Sequence, residues 1–220
     1  MKVKKIVDLT YPLRPKGEQR KLRLISIRTL ENSYSNEYML EMHAHIGTHV
    51  ESPYHCIKSG KTIDKIPLDK FVGEAAVVDL SNTIKREIDV NDLIRVGNHI
   101  VRGDIVILKT GYDDKFIDSG FQSEEYKAHS PYLTTAAVKW LISREIKLLG
   151  IDFWSIEEYP INPKIGEPRH KILFEHEIPL IHSLVNTTML DENRVFFVAL
   201  PLFIRGLESS PVRAVAIIFE

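Results

Sequence analysis

The sequence predicts an α/β fold in which helices flank a mixed β-sheet, and three observations support this prediction. Short runs rich in valine, isoleucine and leucine are bounded by polar residues or glycine, a pattern typical of buried strands. Segments with apolar residues at helical spacing lie between several of these runs. The 220 residues, 44% hydrophobic and 27% charged, are enough for one sizeable core. We therefore expect a single domain over residues 1–220, because no repeat or linker interrupts the sequence.

The first part of the chain predicts two strands and then an extended run. Lys4–Leu9 and Leu22–Leu30 are rich in branched apolar residues, which favours strands. Tyr38–Ile46 continues into a histidine-rich stretch, Met42–Cys56. The next segment, Lys58–Asp69, contains glycine and proline and is predicted to be irregular.

The rest of the chain alternates predicted strands with helices. Glu74–Leu80 and Asp104–Lys109 are short runs typical of buried strands, and Asp89–Val96 between them predicts a short capped helix. Thr134–Glu145 has an apolar stripe at helical spacing, which predicts a helix packed on the core. Glu167–His176 predicts a short helix because proline occupies its first turn. Four further strands are predicted at Leu148–Ile151, Glu177–Ser183, Val195–Ile204 and Val212–Phe219.

The stretch Met42–Cys56 has the highest density of metal-binding side chains in the chain. It contains four of the nine histidines, together with Glu51. The side chains that we consider as ligands occupy odd-numbered positions: His45, His49, Glu51 and His55. On an extended backbone they would project to one side, whereas a helix would separate them, and the proline and glycine in the stretch disfavour a helix. The stretch therefore predicts a strand that runs into a loop.

Neutral imidazoles and a carboxylate are ligands that suit zinc, manganese or iron. The alternative is that these histidines are ordinary surface or core residues, which is the usual role of an isolated histidine. Random scatter would seldom place three histidines at the spacing H-x3-H-x5-H around a carboxylate, so we favour a metal site. Such a site with an open position can activate a water molecule.

Other function classes lack the residues that they need. Gly60-Lys61-Thr62 matches the end of a phosphate-binding loop, but the position five residues before Gly60 is His55 instead of glycine. The sequence has neither G-x-G-x-x-G nor G-x-S-x-G, so a nicotinamide enzyme and a serine hydrolase have no support.

Charge and composition restrict the partners. The formal charge of −1 gives no electrostatic reason to expect a nucleic acid or a membrane surface, so we expect a small-molecule substrate. The single cysteine, Cys56, excludes an internal disulfide and is compatible with a reducing compartment. We expect its side chain to pack as a small buried hydrophobe. The alternative is that it is a soft metal ligand or a reactive thiol. The first residues lack the apolar run of a signal peptide, and we expect a cytoplasmic protein.

Polar and aromatic side chains follow the predicted strand Leu148–Ile151. Such a junction often lines a pocket, and we predict that Phe153, Trp154 and Ser155 contact the substrate, with ordinary packing as the alternative. Glu157 is expected to form a solvated pair with the glutamate after it, without a catalytic role.

Several other residues have a weaker claim to a role. Arg213 either orients the substrate or pairs with a carboxylate. His43 lies near the predicted ligand face because its position is also odd-numbered. The remaining histidines are expected to be ordinary: His99, His129 and His176.

The histidine-rich stretch resembles the signature of the cyclase family of metal-dependent hydrolases, which includes kynurenine formamidase and isatin hydrolase. His45–His55 matches H-x-G-T-H-x-[D/E]-x-P-x-H. Leu149–Asp152 with Ser155 resembles the family's G-[IV]-D-x-x-S segment, and Pro211–Ala216 resembles its closing P-x-R-A-x-A. Val7–Thr10 resembles its opening strand, so the resemblance extends along nearly the whole chain.

The resemblance implies a swivelling β/β/α fold and a homodimer or homotetramer. It also implies a divalent metal, Zn²⁺ or Mn²⁺, that activates water to cleave an amide bond of a small substrate. An aryl formamide such as N-formylkynurenine, or a cyclic amide or ester, would be such a substrate. His55 corresponds to the family's catalytic histidine, which can take a proton from water and return it to the leaving nitrogen. The implied metal ligands are His45, His49, Glu51, His170 and His182.

Two of these ligands depart from the family's usual pattern. His182 stands where family members commonly have glutamate, and Glu51 stands where they usually have aspartate. Two cations ~3.5–4 Å apart repel each other, and bridging or paired carboxylates make such a pair tolerable. With four neutral ligands and Glu51 as the only anion, we hypothesise one tightly held metal, bound by His45, His49 and Glu51. The second metal would bind weakly or not at all.

Two alternatives to an enzyme remain at this point. The first is a non-catalytic metal- or ligand-binding protein that kept the fold after losing the carboxylate at position 182. The second is a structural oligomer in which the histidines are packed.

Overall fold

The computed structural model describes residues 2–15, 21–82, 86–119 and 123–220. Within these ranges the chain forms twelve strands and four α-helices. The strands are β1 (Val3–Asp8), β2 (Leu22–Arg28), β3 (Glu37–Met42), β4 (His49–Glu51), β5 (Val72–Asp79), β6 (Glu87–Ile88), β7 (Ile105–Lys109), β8 (Tyr132–Leu133), β9 (Leu148–Ile151), β10 (Leu180–His182), β11 (Arg194–Pro201) and β12 (Ser209–Phe219). The helices are α1 (Val90–Val96), α2 (Glu124–His129), α3 (Thr135–Ser143) and α4 (Pro168–Glu175).

The main sheet has eight strands, in the order β1-β12-β11-β5-β7-β9-β10-β4. Strands β5, β7, β9 and β10 are parallel neighbours, and the other pairs are antiparallel, which confirms the predicted mixed sheet. The short strand β4 also pairs with the start of β12, where Glu51 lies opposite Ser209. The sheet therefore closes on itself at β4. This closure was not predicted, because the polar residues Ser209 and Ser210 lie between the predicted strands Val195–Ile204 and Val212–Phe219.

Alternating residues of the central strands pack on opposite faces of the sheet. Ala75 and Val77 of β5 belong to one hydrophobic cluster, which also receives side chains from β1, β11 and β12. Ala76 and Val78 belong to a second cluster, which receives side chains from α1, α3 and α4. Both faces of these strands are thus buried, which explains why their sequences are continuous apolar runs.

The three predicted helices begin within one residue of their predicted starts. The Thr134 hydroxyl accepts a hydrogen bond from the amide of Ala137 at the start of α3, and Asp89 caps α1. The helix α2 and the two-residue strands β6 and β8 were not predicted, because each is too short to show a period.

The strands β2 and β3 form a separate two-stranded hairpin in which Leu24 lies opposite Leu40. Both leucines are about half exposed, at 52% and 51%. An isolated two-stranded hairpin is marginally stable in water, so these apolar side chains lack the cover that the main sheet provides.

No helix in the described ranges has the length and apolar character needed to cross a membrane. The first and last strands, β1 and β12, pair with each other in the main sheet. The single domain over residues 1–220 stays a prediction.

Candidate metal and active site

Strand β4 forms the middle of the candidate site because it pairs with β10 on one side and with β12 on the other. His49 lies directly opposite His182. Opposed residues on antiparallel strands project to the same face. The two rings stack, with their centroids 5.1 Å apart and an interplanar angle of 8°.

His45 and His55 lie on either side of β4, outside the strand. His45 lies in a bend, and His55 ends the short 3-10 turn Pro53–His55. Gly47 adopts φ +55° in the bend, a left-handed conformation that favours glycine. The prediction that an extended backbone projects the candidate ligands to one side therefore holds only for β4 itself. Turns at both ends of β4 bring the rings of His45 and His55 to a centroid separation of 4.8 Å.

His170 enters the site from the first turn of α4. Its ring stacks on that of His182 with centroids 5.5 Å apart. Oε1 of Glu157 accepts a hydrogen bond from the backbone amide of His170 at 3.0 Å and lies 3.1 Å from its Nδ1. Oε2 of the same carboxylate accepts a hydrogen bond from Arg169 at 2.8 Å. Glu157 thereby orients His170 so that Nε2 faces the site.

The Glu51 carboxylate lies at the centre of five imidazole rings. The distances from its oxygens to the nearest ring nitrogens are 2.8 Å for His45, 3.5 Å for His49, 3.3 Å for His182, 3.6 Å for His170 and 3.8 Å for His55. Its side chain is only 6% exposed. The sequence-predicted metal ligands and the predicted catalytic histidine are thus brought together around one buried carboxylate.

The ligand atoms form two three-donor groups that share Glu51. One group is His45, Glu51 and His55, the other is His49, Glu51 and His182, and the atoms of each lie within 4.8 Å of one another. Among the described residues, Oε2 of Glu51 and Nε2 of His182 are buried without a hydrogen-bond partner. Buried polar atoms are normally satisfied, so an unpaired acceptor and an unpaired nitrogen here fit a site that binds a cation.

The electrostatics favour the protonation states that bind metal. Burial lowers the pKa of His49 to about 4, so its imidazole is neutral at working pH. Burial alone would raise the pKa of Glu51, but the charge of His182 and the surrounding imidazole hydrogen bonds hold it well below its ordinary value. The neutral imidazole of His49 and the ionised carboxylate of Glu51 are forms that coordinate a divalent metal.

The comparison with protein families decides where the chain belongs. The model of the family called Cyclase matches residues 7–158. The chain belongs to the Cyclase family. This confirms the resemblance that the histidine-rich stretch indicates.

Similar proteins agree with this membership. A kynurenine formamidase from Bacillus cereus is 27% identical to the chain over 98% of both sequences. The solved structure of a potential metal-dependent hydrolase with cyclase activity is 25% identical, covers 98% of both chains and has a TM-score of 0.77. Isatin hydrolase A from Labrenzia aggregata has a TM-score of 0.82 at 24% identity, covering 98% of this chain and 94% of its own. These likenesses confirm the predicted fold class.

Three further carboxylates lie at the candidate site. The sequence did not identify them as site residues. Oε1 of Glu208 lies 3.0 Å from Nε2 of His45, and Oε2 of Glu167 lies 3.0 Å from Nε2 of His55. The third is Glu157. These carboxylates contact histidine rings of the site, and Glu51 as the only anionic metal ligand stays a prediction.

The expectation that Glu157 and Glu158 form a solvated pair is wrong. Glu157 is 2% exposed and forms the hydrogen bonds to His170 and Arg169 described above, whereas the neighbouring Glu158 is exposed. Two adjacent glutamates in a sequence do not show which one turns inward.

The predicted substrate-contacting residues occupy different environments. Phe153 has no exposed surface and packs in the second hydrophobic cluster, so it offers no surface to a substrate in this conformation. Trp154 is partly exposed, packs edge-on against Tyr159, and its carbonyl oxygen lies 3.3 Å from Nδ1 of His182. Ser155 is 5% exposed, and its hydroxyl accepts a hydrogen bond from the amide of Glu157.

The residues with weaker claims have identifiable partners. Arg213 pairs with Asp8, with Nε 3.0 Å from Oδ1 of that carboxylate, as the alternative interpretation proposed. Nδ1 of His43 accepts a hydrogen bond from the amide of His45, so His43 lies beside the site. Ring nitrogens of the three ordinary histidines lie within hydrogen-bonding distance of backbone carbonyls: His99, His129 and His176.

Proposed function

We propose that the protein is a metal-dependent hydrolase that cleaves an amide bond in a small aryl formamide such as N-formylkynurenine, or in a cyclic amide or ester. The observation that carries this proposal is the buried Glu51 carboxylate, enclosed by five imidazoles and with one oxygen unpaired. The kynurenine formamidases and isatin hydrolases among the similar proteins support amide hydrolysis as the reaction class.

The proposed cofactor is Zn²⁺ or Mn²⁺, because the imidazole-rich donor set with carboxylates suits these ions. A cation held here would lower the pKa of a bound water molecule and would polarise a carbonyl oxygen of the substrate. We propose the following residues as its ligands: His45, His49, Glu51, His170 and His182. Glu208 and Glu157 support two of these ligands through hydrogen bonds to their rings.

His55 is the proposed general acid–base. Its Nε2 lies 3.8 Å from Oε2 of Glu51 and 3.0 Å from Oε2 of Glu167, so the ring is held at the edge of the ligand set. Burial lowers the pKa of His55, but the Glu167 hydrogen bond and the charge of Glu51 outweigh it and raise the pKa. The imidazole can then accept a proton from water and return it to the leaving nitrogen.

We propose a substrate with a planar ring and a carbonyl group. We propose that Trp154 contacts such a ring and that Ser155 shapes the loop beside it. The partner is proposed to be a small molecule, in keeping with the formal charge of −1, which favours neither a nucleic acid nor an anionic membrane surface.

A second copy of the chain is the proposed macromolecular partner, in a homodimer or homotetramer. The hairpin β2–β3 presents exposed apolar side chains, and a cavity of about 420 Å³ lies beside it. Its lining is almost entirely apolar and includes Leu24, Leu40 and Leu202. Large exposed apolar patches mark interfaces, and a nearly neutral chain does not repel its own copies.

The test of the proposed function is hydrolysis of a panel containing N-formylkynurenine, formanilide, isatin, a lactam and a lactone. We expect turnover of at least one member, its loss after treatment with a chelator, and its recovery when Zn²⁺ or Mn²⁺ is restored. Bound metal without turnover of any member would support the non-catalytic binding protein instead. A protein that binds no metal would support the structural oligomer.

A further inference from the structure

A third donor group lies beside the candidate site and includes the only cysteine of the chain. Sγ of Cys56 lies 3.6 Å from Oε2 of Glu167, and Nε2 of His55 lies 3.0 Å from the same oxygen. The three ligand atoms all lie within 4.8 Å of one another. The side chains of His55 and Glu167 are 21% and 28% exposed, so the group is reachable from solvent without lying on an open surface.

The fold holds these three side chains in place from two elements. Cys56 follows the 3-10 turn Pro53–His55, and the amides of Cys56 and Ile57 both donate hydrogen bonds to the carbonyl of Pro53. Glu167 immediately precedes α4. Because the turn packs against α4, through contacts that include the edge-on packing of His55 against Phe174, the carboxylate faces the imidazole and the thiol together.

The spacing suits a four-coordinate ion. Zinc binds imidazole nitrogen and carboxylate oxygen at about 2.0–2.2 Å and thiolate at about 2.3 Å, so tetrahedral ligands lie roughly 3.3–3.7 Å from one another. The distances of 3.0 Å and 3.6 Å are close to that range. A thiolate also prefers softer ions to magnesium, calcium or manganese.

We propose that His55, Cys56 and Glu167 form a second metal site, specific for thiophilic divalent ions such as Zn²⁺ in excess or Cd²⁺, whose occupation inhibits the enzyme. On binding, the S–H bond of Cys56 is replaced by a sulfur–metal bond and the proton passes to solvent. No electron is transferred in this step.

Inhibition follows because Nε2 of His55 belongs both to the candidate active site and to the group with Cys56 and Glu167. Nε2 of His55 faces both Glu51 and Glu167, and a ring nitrogen can coordinate only one metal. An ion on the thiol side therefore removes His55 from proton transfer. This consequence rests on the proposed catalytic role of His55, whereas the existence of the site does not.

The test is a titration of the metal-loaded protein with Cd²⁺, followed by the ultraviolet charge-transfer absorption of the cadmium–thiolate bond. Since the chain has a single cysteine, this absorption reports Cys56 alone. We expect it to saturate at one ion per chain, to disappear in Cys56→Ser, and to require at least about tenfold more Cd²⁺ in Glu167→Gln. Glu175→Gln, an exposed residue at the end of α4, is the matched control and should titrate like the native protein.

Absence of the absorption, or equal affinity in the native and Glu167→Gln proteins, would overturn the site. The inhibitory part is tested in the same titration with a hydrolysed substrate, and activity should fall in step with the absorption in the native protein but not in Cys56→Ser. Saturation of the absorption without loss of activity would refute inhibition. The absorption measures the site independently of turnover, so failure of the proposed function leaves this test intact.

Discussion

Oε2 of Glu51 lies 3.3 Å from Nε2 of His182, and within the described part of the chain neither atom has a hydrogen-bond partner. Two buried polar atoms that face each other unpaired cost free energy unless something binds to both. A divalent cation satisfies both at once. We therefore expect His182 to be a ligand of a bound cation.

The first prediction concerns the charge at position 182. His182→Glu should bind a second metal at least about tenfold more tightly than the native protein, because a carboxylate that faces Glu51 offsets the repulsion between two cations. His182→Ala should weaken metal binding. The measurement is metal content after dialysis, together with calorimetric titration. His176→Ala is the control, since that ring lies at the exposed end of α4. Equal metal content in all four proteins would contradict this prediction.

The second prediction separates the metal ligands from the proton-transfer group. His55→Ala should keep its metal and lose about 10²–10⁴-fold in kcat, the usual contribution of a general acid–base. His49→Ala should lose both metal and activity, because that ring belongs to a three-donor group with Glu51 and His182. Metal analysis alongside steady-state kinetics distinguishes the variants. Loss of metal from His55→Ala would show that His55 is a ligand instead.

The third prediction uses two adjacent glutamates. Glu157→Gln should weaken metal binding by about 10–100-fold, because Glu157 orients His170 and residues of this kind typically have that effect. Glu158→Gln is the matched control, because Glu158 is exposed and lies next in the sequence. Competition with a chromophoric chelator measures both affinities. If the two variants bind metal equally well, Glu157 does not position the ligand.

The fourth prediction concerns the hairpin and the oligomer. Leu40→Lys should dissociate the oligomer, because it places a charge in the exposed apolar surface where Leu40 lies opposite Leu24. Size-exclusion chromatography with light scattering measures the mass. Ile94→Lys, an equally exposed apolar position on α1, should leave the mass unchanged. A native protein that is monomeric at micromolar concentration would refute the proposed partner.

The sequence predicted the centre of the site well, because local spacing carries that information. His45, His49 and His55 share one short stretch with Glu51, and the family resemblance adds the two distant histidines. The supporting carboxylates could not be derived in this way. Glu157, Glu167 and Glu208 reach the site only because loops and α4 fold back onto it, and nothing in their local sequence distinguishes them from surface glutamates.

Local sequence patterns also predicted much of the fold, and the prediction was incomplete where distant segments of the chain come together. The strand predicted at Leu148–Ile151 agrees with β9, and the predicted helix from Thr134 differs from α3 by one or two residues at each end. Closure of the sheet was not predictable. It depends on the three residues of β4 pairing with both Leu180–His182 and Ser209–Pro211, and the short polar segment Ser209–Pro211 shows no strand period.

Beyond the metal site, two buried carboxyl groups lie where β9 ends. Asp113 is fully buried, with one oxygen accepting a hydrogen bond from the Tyr126 hydroxyl at 2.7 Å, and its amide donates to the carbonyl of Asp152. Asp152 accepts hydrogen bonds from the amides of Thr110 and Gly111. Burial raises the pKa of Asp152 to about 7 and that of Asp113 well above its ordinary value.

The fifth prediction follows from these shifts. A carboxyl group whose pKa is higher in the folded than in the unfolded chain stabilises the fold below the unfolded pKa of about 3.9, and this stability is lost as the pH rises toward the folded pKa. The free energy of unfolding of the native protein should therefore fall between about pH 5 and about pH 8. The free energy of unfolding of Asp113→Asn should fall less over the same pH range. The difference from the native protein is about 1.4 kcal/mol for each pKa unit, within this range, by which the folded pKa of Asp113 exceeds the unfolded pKa. Urea unfolding at both pH values measures this, with the exposed Asp191→Asn as control. Equal losses in Asp113→Asn and the native protein would mean that Asp113 is ionised in the folded state, despite its burial.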